Sequence, residues 1–144
     1  MKNVKILIKS SQYVYEEDEE SVELITDGEY SCEDGVWQFS YMESELTGFA
    51  GTKTTFLGER DCVTLSREGA VVTAMVFCEG RKHHFLYETP EGSMTMGINT
   101  HKIKSHMDEN GGELEVEYNV EFENSFLSRN SFRVSIEQME DGIW

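Results

Sequence analysis

Positive charge is scarce in this sequence. Lys and Arg number 12 against 28 Asp and Glu, a formal charge of −16 at neutral pH. A surface that negative repels phosphate backbones and anionic lipid alike, which sets aside nucleic acid and a membrane as partners. Long apolar runs are missing too. No stretch approaches the ~20 residues of a membrane-spanning helix. Lys5 and Lys9 interrupt Val4, Ile6, Leu7 and Ile8, so no signal-peptide core forms at the N-terminus. The cytoplasm is the expected location. Cysteine is confined to Cys32, Cys62 and Cys78, an odd number at wide spacing, with no CxxC pair and no zinc-type cluster with histidine. Reduced, partly buried thiols are expected, ahead of a disulfide or a metal site.

Catalytic signatures are absent as well. There is no nucleophile elbow, no phosphate loop and no His-x-His. His83 and His84 are adjacent, and neighbours on a strand face opposite ways and cannot chelate one metal. The acidic run Glu16-Glu17-Asp18-Glu19-Glu20 lacks the spaced ligands and glycine of a calcium loop and reads as a solvated connection. Neither a metal nor a cofactor is expected. An enzyme is not expected either, although Glu43 with His83 is the pair that would carry acid–base chemistry.

What is present is alternation. Period two marks a strand, and no segment shows period 3.6. The strands read as Val4 to Gln12, Ser21 to Cys32, Val36 to Glu45, Lys53 to Leu57, Cys62 to Arg67, Ala70 to Cys78 and Arg81 to Glu88. An eighth begins near Ser93, and Ile103 falls out of phase in it, as at a bulge. The ninth places Leu114, Val116, Tyr118, Val120 and Phe122 on one face against Glu113, Glu115, Glu117, Asn119 and Glu121. The last carries Phe132, Val134 and Ile136. Turn chemistry separates them: Glu33-Asp34-Gly35, Gly58 to Asp61, Glu68-Gly69, Glu79-Gly80, Pro90-Glu91-Gly92 and Asp108 to Gly112. Connections this short exclude parallel crossovers. The expected fold is therefore all-β, a single domain over residues 1–144. It forms one antiparallel up-and-down β-barrel of about eight to ten strands, which removes sheet edges. A two-sheet sandwich is the alternative.

The hairpin from Val63 to Phe77 holds one anomaly. Arg67 shares the face of Val63 and Leu65, the face that should be buried, and an inward arginine needs a partner. In a meander the odd-numbered strands run the same way, so their C-terminal ends gather at one end of the barrel. The inward positions there are Glu43 and Glu45, Arg67, Tyr87 and Phe122, with Tyr41 and His83 slightly deeper. Barrel mouths favour small-molecule sites. The candidate ligand-binding residues are Tyr41, Glu43, Arg67, His83 and Tyr87, with Trp37, Phe39 and Phe85 as further aromatic lining. Met75, Met94 and Met96 read as core filler.

Several segments in order resemble a known family. These are Phe39-Ser40-Tyr41-Met42-Glu43, Gly51-Thr52-Lys53-Thr54, Arg67-Glu68-Gly69-Ala70-Val71, Tyr87-Glu88-Thr89-Pro90-Glu91-Gly92, Thr100-His101-Lys102-Ile103 and Gly112 through Tyr118. Together they resemble the YwiB-like bacterial family, small cytoplasmic domains of the calycin (lipocalin-like) barrel type. The resemblance spans nearly the whole chain. It implies a calycin-like barrel with about this many strands and carries no activity over. Its recurrent positions, Tyr41, Glu43, Arg67, Gly69 and Tyr87, coincide with the rim.

Two functions follow as expectations. One is a non-enzymatic binder of a small amphipathic ligand at the barrel mouth. The other is a structural or protein-interaction module, a homodimer through Val72, Ala74 and Val76, in which the barrel is filled and a Glu43–Arg67 pair only neutralises two inward charges.

Overall fold

The computed structural model describes residues 2–14, 18–44, 50–69, 73–89, 91–123 and 125–139, with the backbone alone for 87–89. Ten strands follow one another: β1 (Lys2–Val14), β2 (Glu20–Glu33), β3 (Val36–Met42), β4 (Thr52–Glu59), β5 (Cys62–Gly69), β6 (Thr73–Cys78), β7 (Lys82–Thr89), β8 (Gly92–Asp108), β9 (Gly111–Phe122) and β10 (Ser125–Gln138). Each pairs antiparallel with its neighbour in sequence, except β6 with β7, and β1 pairs with β10. The order β6-β5-β4-β3-β2-β1-β10-β9-β8-β7 wraps into a nearly closed barrel with its seam between β6 and β7. At the seam the Glu79-Gly80 turn bridges the two edges. The Gly80 amide donates to the Thr100 carbonyl, and the Thr100 amide donates to that of Arg81. No helix long and apolar enough to cross a membrane occurs among the described residues.

Local chemistry explains the turns that hold. Asp34 and Gly35 take positive φ, 53° and 80°, the left-handed pair that a two-residue hairpin needs. The bulge in β8 lies where phase is lost: the β8–β9 register shifts between Thr100 and Lys102, so His101 is the extra residue and Ile103 returns inward opposite Val116.

Two expectations fail at the β5–β6 hairpin, for one reason. Glu68 and Gly69 do not turn. They stay in β5, paired with Lys53 and Thr52 of β4. Gly69 has φ 131°, and a Cβ there would sit 2.3 Å from the Gly51 carbonyl oxygen, so only glycine follows β4 this closely. Arg67 then pairs with Thr73, and Cys62 falls opposite Cys78 rather than Met75. The two cysteines form a disulfide, with 4.3 Å between their Cα atoms, so the thiol reading is corrected to a cross-strand bond. Cys32 is the free cysteine of the described residues. β3 ends at Met42, short of Glu45, which lies outside the described residues, as do 70–72 and Pro90.

The interior is layered. An aromatic chain fills the middle: Trp37, Phe39 and Phe56 stack with centroids 5.8 and 4.7 Å apart, and Phe132 meets both Phe56 and Phe77 edge-on at 5.6 Å. Val4, Ile6, Val63, Leu114, Val116 and Val134 pack around it, each at most 2% exposed. Tyr30 is fully buried and donates its hydroxyl to the Asp108 carbonyl at 2.6 Å. This filled end is the floor of what lies above.

Candidate functional site at the barrel mouth

Cross-strand register places two polar rows on facing walls. On one wall Tyr41, Thr54, Arg67 and Thr73 stand opposite one another across β3, β4, β5 and β6. On the other, Thr100, Tyr118, Asn130 and Gln12 do the same across β8, β9, β10 and β1. One layer deeper the rows turn apolar: Phe39, Phe56, Leu65 and Met75 on the first wall, Ile103, Val116 and Phe132 on the second. A cavity of about 560 Å³ opens between the walls, with Tyr41, Glu43, Arg67, Tyr118 and Asn130 lining its polar part. Ile8, Leu24, Phe56, Leu65, Met75 and Phe132 line the apolar part. Its size falls within the range of small-molecule sites, ~300–1,000 Å³.

Glu43 lies just past the end of β3, yet its amide still donates to the Thr52 carbonyl at 2.8 Å. That extra rung holds its side chain on the inward parity of Tyr41. Only 8% of Glu43 is exposed. Thr54 donates its hydroxyl to Oε1 at 2.6 Å, while Oε2 is buried with no hydrogen-bond partner among the described residues. Thr52, Thr73 and Thr100 each also hold a buried hydroxyl without one. Buried polar atoms are ordinarily satisfied, so these oxygens stand out among the described residues.

The two tyrosines report on the field here. Burial holds the Tyr41 phenol well above its ordinary range. The Glu43 charge and hydrogen bond add to this, while the Arg67 guanidinium opposes it. Tyr118 is pushed up to about 12 by burial, again against Arg67. Both phenols are neutral donors at physiological pH. The Arg67 guanidinium bears on both phenols, and all three residues line the cavity.

Of the five residues expected from sequence, Tyr41, Glu43 and Arg67 line the cavity together. His83 stands one row nearer the rim, in line with Ile98, Val120 and Ser128, and is not among the described lining residues. Its Nε2 is buried without a hydrogen-bond partner among the described residues. The Tyr87 side chain lies outside the described residues. Trp37 and Phe39 belong to the packed floor and not to the lining. Tyr118, Phe56, Phe132 and Asn130 take their place. Their inward parity was readable, but their height was not. Barrel strands are tilted and staggered, so a strand's last inward residue need not lie level with its neighbours'. On the outer face of β6, Ala74 is exposed and Val76 half-buried; Val72 lies outside the described residues.

Solved structures supply an independent comparison. The crystal structure of the ywiB protein from Bacillus subtilis matches with a TM-score of 0.81 at 21% identity, over 96% of this chain and 93% of that one. At that identity the match shows the fold, and it bears out the YwiB-like all-β barrel. No curated protein matches the chain. The family model of a domain of unknown function, DUF1934, matches residues 6–134, and the chain belongs to that family.

Proposed function

We propose that this barrel binds a small amphipathic molecule in its mouth and performs no chemistry of its own. The observation that carries the reading is the cavity's polarity gradient. Its floor is aromatic and aliphatic, its upper walls carry Tyr41, Glu43, Arg67, Tyr118 and Asn130, and the buried Oε2 of Glu43 has no hydrogen-bond partner among the described residues. An apolar tail would replace water against Phe56, Leu65 and Phe132, while a polar head would meet the polar upper walls. The proposal keeps the cytoplasmic location.

Native mass spectrometry of the protein purified from a bacterial host tests this, together with uptake of Nile red, a neutral apolar dye. The expected result is a discrete small mass released on denaturation, or dye fluorescence that rises with protein and saturates. A bare polypeptide that also takes up no dye would sink the reading. A clean dimer in the same spectrum would favour the interaction module.

A further inference from the structure

Resting on that reading, we propose that the head group taken by the mouth is a protonated amine, seated on the Oε2 of Glu43, so that the barrel selects cationic amphiphiles over fatty-acid-like ones. Three independent observations point the same way. Glu43 is 92% buried, Thr54 donates to its Oε1, the Tyr41 phenol also hydrogen-bonds the carboxylate, and its Oε2 atom has no partner of its own among the described residues. A carboxylate oxygen accepts and never donates, so the missing partner is a donor. A charged donor gives the stronger bond.

The walls fit a cation as well. Tyr41 and Tyr118 line the polar part of the cavity together with Glu43, and aromatic rings attract ammonium groups. The ionisable lining of fixed charge is Glu20, Glu43 and Arg67, two carboxylates against one guanidinium. The whole chain carries −16, a field that draws cations toward the mouth and repels carboxylates.

Isothermal titration of the full-length protein with octylammonium, octanol and octanoate decides the matter, because the three share one tail and differ in the head. The expected order is octylammonium tightest, octanol weaker by about tenfold or more, and octanoate weakest, since a hydrogen bond to a charged group is worth ~1.5–3 kcal/mol. Glu43→Gln, verified as folded by circular dichroism, should erase the ratio of octylammonium to octanol binding. If the variant does not fold, the ranking on the natural protein still decides. Octanoate binding as tightly as octylammonium would overturn the amine head while leaving an amphiphile site in place. No binding by any of the three would remove the site itself.

Discussion

Tyr30, Tyr41 and Tyr118 are half of the six tyrosines, and burial raises all three. A phenol whose pKa is higher folded than unfolded keeps its proton longer in the native state. The native state then binds more protons than the unfolded one above pH ~10, and stability falls as pH rises. Below pH ~10 these groups contribute no pH dependence. From there toward 12 each should remove ~1.4 kcal/mol per pH unit while it stays protonated only in the fold. Urea unfolding across that range, with phenolate absorbance followed in parallel, checks the slope; a flat profile would mean the rings are solvated. Tyr30→Phe removes one buried hydroxyl. It leaves the Asp108 carbonyl without its 2.6 Å donor and should cost about 1 kcal/mol with the fold intact.

The paired strands depend on close contacts that a composition cannot show. The Trp37 indole of β3 lies directly over Gly58 of β4, where an added Cβ would meet the ring 1.9 Å away. Gly58→Ala should therefore displace Trp37 from the aromatic chain and cost on the order of 1–3 kcal/mol, read as a lowered denaturation midpoint. At the β5–β6 hairpin the disulfide spans 16 residues of sequence, and closing such a loop is worth up to about 3 kcal/mol. A dithiol reductant should lower the midpoint of the natural protein and leave a Cys62→Ser, Cys78→Ser double variant unmoved. Equal midpoints with and without reductant in the natural protein would mean the bond contributes nothing. The hairpin also shows why the cysteines misled. A Glu68-Gly69 turn would offset them by three residues, and only the β4–β5 pairing reveals that β5 runs on.

Taken whole, the barrel is a filled aromatic lower end under a polar, partly open upper one, carrying −16. Like charges spread over one nearly closed sheet repel, so salt that screens them should raise stability. The expected result is an unfolding temperature that climbs as sodium chloride rises toward 0.5 M (about one-half molar, where screening reaches within several ångströms); a fall would show that surface ion pairs such as Lys82–Glu121, at 2.6 Å, outweigh repulsion. The seam between β6 and β7 belongs to this level too. It falls between two strands adjacent in sequence, while the distant β1 and β10 are fully paired.

Strand number, strand parity, antiparallel pairing and the β8 bulge follow from alternation and turn residues, because those are properties of a few neighbouring residues and repeat ten times along the chain. Tyr41, Glu43 and Arg67 were identifiable for the same reason: parity alone turns them inward. The register around residue 70, the Cys62–Cys78 bond, the location of the seam and the height of Tyr118 and Asn130 against Arg67 are matters of stagger between strands. Stagger is set only when the sheet curls and closes, since a shift of one residue anywhere moves every row on the facing wall. The cavity is a product of that closure: two rows that never meet in sequence face each other across it.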